Sequence, residues 1–301
     1  MKSVFFYSYR EIRDLVLLYL LPMIALVLPW AFAFQLFKWV SKYFPVYQAA
    51  LDGNFYHASQ FYPDLVEKQF NYNQRLLLLV DNADFWLCRF RPTKMMSLIK
   101  PGKENQGWPS TQGYIALGLH WGTGFPALIE ISKHQLVPKF VFSDPEFQFS
   151  QQGLLESAYK DIRRNWFHRI ANGRAIVAGR GAFKEIEQAT KQKHVPVILY
   201  DAPQNNKSGI KAYKLKNQQF TYQIASGFIT IITRKQAPYV LFSYKLDINT
   251  GFRQLNITQL KSADNTESLL KDLSDFFFEN LDSDPSLWYF WKQSPHILMK
   301  I

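Results

Sequence analysis

Cysteine is almost absent from this sequence: Cys88 is the only one among 301 residues. A single cysteine excludes an intramolecular disulfide and a cysteine-based zinc site, and it fits a reducing compartment. The sequence also lacks the G-x-S-x-G, G-x-x-x-x-G-K-S/T and H-E-x-x-H motifs. These absences argue against a typical α/β-hydrolase, a phosphate-loop nucleotide site and a zinc protease. The six histidines are scattered, so we expect neither a metal nor a cofactor.

Acidic residues are few relative to basic ones: 24 Asp and Glu stand against 35 Lys and Arg, a formal net charge of +11. A basic surface favours anionic partners such as nucleic acid, anionic lipid or an acidic carrier protein. No compact run of Lys and Arg is interleaved with aromatic residues, so we do not expect a nucleic-acid partner. Hydrophobic residues make up 48% of the chain and aromatic residues 17%, which excludes disorder.

The run Leu15–Phe37 contains no charged residue and is long enough to cross a bilayer core of ~30 Å. Charged residues bracket it, namely Arg10, Arg13 and Asp14 before it and Lys38 and Lys42 after it. It lacks the small-residue cleavage site of a removable signal peptide, and Pro22 and Pro29 would kink or break a helix. We therefore expect residues 1–44 to attach to a membrane, as a kinked spanning helix or in the interface. The alternative is a buried core helix.

In the remainder, residues 45–301, short apolar runs alternate with amphipathic stretches. Residues Pro45–Arg91 are typical of helices, and Pro92–Gln112 of a connection. Strands are predicted at Tyr114–Leu119, Lys139–Phe142, Ala175–Ala178, Val195–Tyr200, Pro238–Leu246 and Phe252–Leu260. Helices are predicted at Ala127–His134, Leu154–Ile170, Phe183–Lys193, Ala225–Lys235 and Glu267–Leu281. This alternation predicts an α/β fold with a central mixed, mostly parallel sheet flanked by helices.

Three of the predicted strands end next to a polar residue that could carry chemistry. His120, Arg180 and Asp201 each follow one of them. In open α/β sheets ligands bind outside the carboxyl ends of the strands. Parallel strands would therefore bring a base, a cation and a carboxylate to one rim, and we expect these three residues to be catalytic. Each also has a plainer interpretation, as a structural histidine, a surface charge and a turn cap.

His120 is followed two positions later by Gly122, and further motifs come in order along the chain. They are Arg180, the helix Phe183–Lys193, the strand ending at Asp201, Ser226 with Gly227, Ala237 with Pro238, and Pro285 with Trp288 and Trp291. With the uncharged N-terminal run, this order resembles the bacterial lipid A late acyltransferases, within the lysophospholipid acyltransferase superfamily. The resemblance covers most of the chain. It implies that His120 is a general base acting on an acceptor hydroxyl, without a covalent enzyme intermediate.

The family signature has an acidic residue five positions after the histidine, where this sequence has Phe125. In the family that acid orients the imidazole and stabilises its cation, and a phenylalanine does neither. Three outcomes stay open. Glu130, Asp201 or a backbone carbonyl orients His120; the base works unaided and slowly; or the site binds a lipid without catalysis.

The resemblance implies a membrane-associated acyltransferase that uses an acyl-carrier-protein or coenzyme A thioester. The acceptor would be a hydroxyl of a lipid or glycolipid, such as a lipid A precursor, at the cytoplasmic side of a bacterial inner membrane. One alternative is an acyltransferase for another lipid, such as a polyene pigment. The other is a catalytically degenerate lipid- or carrier-binding protein of the same fold.

Four further residues are expected to bind substrate. Gly122 and Gly124 would leave room for a thioester carbonyl beside the backbone N–H groups that open the next helix, a place suited to a developing oxyanion. Phe125 would line the acyl cavity. Arg164 would contact an acidic carrier protein from the rim of the site.

Overall fold

The computed structural model describes residues 2–300 except 111–112, 123, 143–152, 180 and 204–211. The α-helices are α1 (Lys2–Asp14), α2 (Leu21–Val27), α3 (Trp30–Tyr43), α4 (Gln48–Leu51), α5 (Asn54–Phe61), α6 (Glu67–Phe90), α7 (Pro92–Ser97), α8 (Phe125–Lys133), α9 (Leu154–Ile170), α10 (Ala182–Lys191), α11 (Gly227–Lys235) and α12 (Thr266–Ser283). A π-helical turn, Leu15–Leu20, joins α1 to α2, and two 3₁₀ turns, Pro285–Leu287 and Trp291–His296, follow α12.

The strands are β1 (Ile99–Asn105), β2 (Ile115–Gly118), β3 (Pro138–Phe142), β4 (Ile176–Val177), β5 (Val195–Leu199), β6 (Ala212–Lys216), β7 (Phe220–Ala225), β8 (Tyr239–Leu246), β9 (Arg253–Ile257) and β10 (Leu298–Lys300). Seven of them form the central sheet in the order β1-β9-β8-β2-β5-β3-β4. Within the described part of that sheet every neighbouring pair is parallel except β8 with β9. The predicted α/β fold with a mixed, mostly parallel sheet is confirmed.

The sequence analysis missed β1 and a second sheet. β1 lies in the stretch expected to be a connection, because its Pro101 and Gly102 are residues that normally mark turns. An edge strand tolerates a residue without an N–H, and β1 is at the edge of the central sheet. The second sheet is antiparallel and has the order β10-β7-β6. Its strand β6 is mostly exposed, so it lacks the apolar run that marks a buried strand.

The uncharged run Leu15–Phe37 does not form one continuous helix. Leu28 is extended, with a ψ of 152°, and α3 begins only after Pro29. Proline disfavours helical geometry in the residue that precedes it and lacks an N–H of its own, which explains the break. Among the helices that the structure describes, none combines the length and the apolar character that crossing a membrane requires.

One face of the same run is part of the core. Trp30 and Phe34 of α3 are buried in the hydrophobic cluster that also contains the central strands. The guanidinium carbon of Arg253, on β9, lies 4.2 Å from the centroid of the Trp30 ring. Arg253 Nε also donates to Asp84 Oδ2 of α6 at 3.1 Å. Breaking such a buried pair leaves an uncompensated charge, which is costly. The contacts of Arg253 with Trp30 and Asp84 therefore hold α3 and α6 against the sheet. A boundary after residue 44 stays a prediction.

Other apolar side chains between residues 15 and 39 are exposed. The exposed fraction is 82% for Val27, 68% for Phe32, 53% for Leu20 and 51% for Trp39. Exposed apolar side chains of this size mark interaction surfaces where they are contiguous. Membrane attachment of the segment stays a prediction.

Candidate functional site

His120 and Asp201 occupy equivalent positions beyond the ends of two adjacent parallel strands. In the register of β2 and β5, Gly118 pairs with Leu199, and each functional residue lies two positions further along. The backbone pairing still continues at Tyr200, whose N–H donates to Gly118 O at 3.0 Å. Because both strands run in one direction, they deliver the imidazole and the carboxylate to the same edge of the sheet.

The Asp201 carboxylate holds His120 through the ring and the backbone. Oδ1 lies 2.7 Å from Nδ1, and both carboxylate oxygens accept from the His120 backbone N–H at 3.0 Å. Asp201 is fully buried, whereas 24% of the His120 side chain is exposed. A carboxylate at Nδ1 selects the neutral tautomer that is protonated there, which keeps the lone pair on Nε2. Of the partners left open by the sequence, the structure places the Asp201 carboxylate beside the ring, and the Glu130 carboxylate bonds to Trp108 and Tyr244 instead.

Two buried side chains fix Asp201 in turn. Trp288 Nε1 donates to Oδ2 at 3.0 Å, and the Tyr222 hydroxyl donates to the backbone carbonyl of Asp201 at 2.6 Å. Burial raises the pKa of Tyr222 well above 10.0, and the nearby Asp201 charge adds to this, so the hydroxyl keeps its proton. The sequence marks Trp288 only as part of a motif. No local pattern indicates a bond to a residue 87 positions earlier.

Aromatic residues directly after Trp288 pack against the base. The Phe290 ring lies 4.6 Å from the His120 ring, centroid to centroid, at an interplanar angle of 74°. The Tyr289 ring lies 6.3 Å away at 69°. Three consecutive residues of the C-terminal segment therefore hold the carboxylate or contact the imidazole. The sequence analysis missed both Tyr289 and Phe290.

The glycine-rich loop before α8 packs tightly. A Cβ on Gly122 would lie 2.9 Å from the carbonyl oxygen of Tyr244, which is too close for any other residue. Gly124 has a φ of +67° directly before α8, in the left-handed region that favours glycine. In the first turn, Pro126 has no N–H, and the Ala127 N–H donates to Gly124 O at 3.1 Å. Two of the first three positions of α8 thus offer no donor for the oxyanion site predicted there.

Phe125 is the first residue of α8 and is buried in an aromatic cluster. Its ring centroid lies 5.6 Å from that of Phe167 and 5.9 Å from those of Phe85 and Trp166. The Arg163 guanidinium carbon lies 4.9 Å from the same centroid, in a cation–π contact. The position that is acidic in the resembled family is therefore enclosed by aromatic rings. Contact of Phe125 with an acyl chain stays a prediction.

Glu130 bonds to other partners. Its Oε2 accepts from Trp108 Nε1 at 3.0 Å and from the Tyr244 hydroxyl. Burial raises the pKa of Glu130 above 4.5, and these two hydrogen bonds act in the opposite direction. Its carboxylate serves the packing of α8 against β8.

Of the two arginines expected at the rim, Arg164 and Arg180, the structure describes only Arg164. Arg164, on α9, pairs with Asp161 of the same helix, and 34% of its side chain is exposed. Arg180 lies outside the described residues. Roles for Arg164 and Arg180 in binding or catalysis stay predictions.

Comparisons with known proteins complete the description of the site. No group of three His, Cys, Asp or Glu side chains that could hold a metal occurs in the described part of the chain. No family model matches the sequence, and no curated protein matches it. Among solved structures, the chain is similar to the 1-acyl-sn-glycerophosphate (LPA) acyltransferase PlsC from Thermotoga maritima, at 13% identity and a TM-score of 0.41. That match covers 85% of this chain and 99% of that chain.

Proposed function

We propose that this protein transfers an acyl group from a thioester to a hydroxyl group of a lipid or glycolipid. The observation that carries the proposal is the 2.7 Å contact between His120 Nδ1 and Asp201 Oδ1 at the carboxyl edge of a parallel sheet. It leaves Nε2 of a partly exposed imidazole with a lone pair, which is the state that a general base requires.

The reaction follows from this state of the imidazole. His120 Nε2 accepts the proton of the acceptor hydroxyl while the hydroxyl oxygen attacks the thioester carbonyl carbon. Asp201 stabilises the imidazolium that forms. The tetrahedral intermediate then collapses, the C–S bond breaks, and the imidazolium returns its proton to the departing thiolate. An ester and a free thiol are the products.

Direct transfer without an acyl-enzyme agrees with the chemistry of the only thiol. Cys88 is buried in α6, and burial raises the pKa of its thiol well above 9.0. A thiol of that kind is inert because the thiolate is the nucleophile. The G-x-S-x-G motif of hydrolases is also absent. In the proposed reaction the acceptor hydroxyl is the group that attacks the thioester.

Two properties of the surface support a membrane lipid as acceptor and an acyl carrier protein as donor. The exposed apolar side chains of the N-terminal segment, such as Val27 and Phe32, suit a protein that takes its acceptor from a membrane. The formal charge of +11 suits an acidic acyl carrier protein as donor. Within the same proposal, the reaction takes place at the cytoplasmic face of a bacterial inner membrane, with a lipid A precursor as one candidate acceptor.

The experiment that tests this function is acyl transfer from a radiolabelled thioester to a bacterial lipid extract, with His120→Ala as the control. Acyl carrier protein and coenzyme A thioesters are offered separately. We expect ester formation by the wild type, and a rate with the carrier protein that falls as salt rises, because screening shortens electrostatic attraction to ~10 Å at 0.1 M salt. If the wild type transfers nothing from either donor but binds lipid, the proposed acyl transfer is wrong and the chain is a lipid-binding protein of this fold. Salt-independent activity with coenzyme A alone removes the carrier protein as donor.

A further inference from the structure

An open cavity of about 740 Å³ lies on the surface where the N-terminal segment meets the end of α6. One wall is the break between α2 and α3, with the side chains of Leu26, Val27 and Pro29. The other wall is the junction of α6 and α7, which contributes Phe90–Lys94 and Ser97. None of the residues assigned to acyl transfer lines this cavity, so it needs an explanation of its own.

The walls of the cavity are fixed to one another. Lys94 Nζ donates to the carbonyl oxygens of Ala25 at 2.7 Å and of Leu28 at 2.5 Å, and so joins α7 to the end of α2. The Phe90 ring is stacked on that of Trp86, with centroids 5.8 Å apart and an interplanar angle of 7°. Trp86 Nε1 in turn donates to the π-helical turn before α2. A ligand would therefore enter a preformed site and would not have to order it.

The wall at the α6–α7 junction carries positive charge without a balancing acid. Arg91 is exposed, and none of the described residues that line the cavity is acidic. Burial lowers the pKa of Lys94 below 10.5, and the nearby Arg91 charge adds to this. Thr93 and Ser97 supply hydroxyl groups on the same wall. Two cations with hydroxyls beside them form an environment that suits a phosphate group.

The rest of the lining is apolar and faces solvent. The exposed fraction is 82% for Val27 and 52% for Phe90, and Leu26 lies beside them. A free phosphate would leave these side chains in water. A membrane phospholipid has both a phosphate and hydrocarbon chains, so it matches both parts of the lining.

The cavity lies at the same edge of the central sheet as His120. α7 leads into β1, whose first residue, Ile99, is paired with Arg253 of β9. Arg253 is also paired with Leu246 at the end of β8, and β8 is parallel to β2. β1 is three strands from β2 in the sheet, which at ~4.8 Å per strand is roughly 14 Å along this edge. A lipid bound in the cavity would thus hold the edge with the base against a bilayer.

We propose that this cavity binds an anionic membrane phospholipid, with its phosphate at Arg91 and Lys94 and its acyl chains against Val27 and Phe90. Lys94 has three N–H donors, and the two carbonyls leave one of them for the phosphate. A zwitterionic headgroup brings an ammonium group that finds no acid in the cavity, so the site selects anionic lipids. The bound lipid is an anchor and is separate from the acceptor of the proposed acyl transfer.

Arg174 provides a matched control within the same protein. It is also exposed, but it precedes β4, which runs parallel to β3, β5 and β2. It therefore lies at the edge of the sheet opposite to His120. Arg91→Gln and Arg174→Gln remove the same charge from an exposed arginine, and only one of the two lines the cavity.

The test is co-sedimentation of the full chain with vesicles of phosphatidylcholine alone and of phosphatidylcholine mixed with phosphatidylglycerol. The wild type should prefer the anionic vesicles. Arg91→Gln should bind them about 10-fold more weakly, as loss of a hydrogen bond between charged groups does, and should bind phosphatidylcholine as the wild type does. Arg174→Gln should stay close to the wild type on both. Thermal midpoints of both variants should be unchanged, because each substitution is at an exposed site.

Equal losses in the two variants would overturn the site, since net charge alone would then explain the binding. Calorimetry with soluble dihexanoylphosphatidylglycerol and with inorganic phosphate separates the two sources of phosphate. The wild type should bind the lipid more tightly than inorganic phosphate, and Arg91→Gln should lose this binding. Equal affinity for inorganic phosphate would overturn the lipid assignment, as would no binding of the lipid. No acyl donor is present, so a chain that transfers nothing but keeps this preference loses the proposed function and retains the site.

Discussion

Trp288 Nε1 donates to Asp201 Oδ2 at 3.0 Å, on the carboxylate whose other oxygen lies 2.7 Å from His120 Nδ1. The indole and the imidazole thus share one buried anion. A donor on the carboxylate spreads its negative charge and weakens its hold on a protonated ring. Trp288 therefore sets how strongly Asp201 supports the base.

Trp288→Phe should slow acyl transfer. Without the indole N–H, the Asp201 carboxylate loses one of the hydrogen bonds that fix it beside His120. The rate should fall by about 10-fold, which corresponds to about 1.4 kcal/mol for one hydrogen bond. The measurement is the transfer rate at neutral pH.

Trp291→Phe is the matched control for this variant. Trp291 is equally buried in the same segment, and its Nε1 donates to the Pro285 carbonyl at 2.7 Å. Both variants lose one indole N–H and should unfold a few degrees lower. Only Trp288→Phe should slow acyl transfer. An equal loss of rate in both variants, or in neither, contradicts the account.

Phe125→Glu restores the acid of the resembled family, and we expect it to destabilise the protein without raising turnover. The side chain is 1% exposed among aromatic rings, so the change removes apolar packing and buries a carboxyl group. The cost should be about 3 kcal/mol or more in the free energy of unfolding. Phe125→Leu, which stays apolar, should cost less. Chemical denaturation measures both. A stable, faster Phe125→Glu enzyme would show that the site retains room for the family acid.

Glu130 makes stability depend on pH in a predictable direction. Burial raises its pKa above 4.5, so from that pH up to the raised pKa the folded state binds the proton more tightly than the unfolded state. Its contribution to stability is present at low pH and falls as pH rises through this window. Glu130→Gln has no charge to lose, so its thermal midpoint should gain on that of the wild type as pH rises from 4 to 8.

Glu130→Ala separates charge from hydrogen bonding in the same experiment. It also removes the charge, but it leaves Trp108 Nε1 and the Tyr244 hydroxyl without their acceptor. Its midpoint should therefore lie below that of Glu130→Gln at every pH, with a similar pH dependence. A thermal midpoint of Glu130→Gln that falls relative to that of the wild type as pH rises would contradict the assignment.

Val27→Glu combined with Phe32→Glu should weaken binding to lipid vesicles about 10-fold or more, because two exposed apolar side chains become charged. Both residues point to solvent, so the fold should survive, whereas deleting the segment would expose the core around Trp30. Tyr56→Glu with Val66→Glu is the control, since these side chains are 64% and 67% exposed outside the segment. Equal loss in both double variants, measured by co-sedimentation, would indicate that net charge alone matters.

Much of the central sheet could be predicted because its strands are short apolar runs bounded by polar residues. The same runs indicate that His120 and Asp201 follow strand ends. The sequence alone could not favour Asp201 over Glu130 as the carboxylate that contacts His120, because the contact with Asp201 requires β2 and β5 to be neighbours. Strand order arises from packing and leaves no periodicity in the sequence.

The N-terminal run is a part of the fold that the sequence alone could not predict. Its side chains are apolar on every face, so the sequence cannot separate the face of α3 that packs on the core from the exposed face. Trp30 is buried and Phe32 is exposed only two positions later. Likewise, nothing in the sequence near Trp288 and Tyr289 indicates that the fold brings them close to Asp201 and His120, which lie far upstream in the chain.

The central claim is that His120, oriented by Asp201, is the general base of acyl transfer. The most direct measurement is the single-turnover rate of ester formation by the wild type and by Asp201→Asn, with thermal unfolding of both recorded alongside. Asparagine keeps the size of the side chain but cannot stabilise the imidazolium. The account predicts a rate lower by about 10²–10⁴-fold in a variant that still folds. A folded Asp201→Asn enzyme that turns over at the wild-type rate would contradict it.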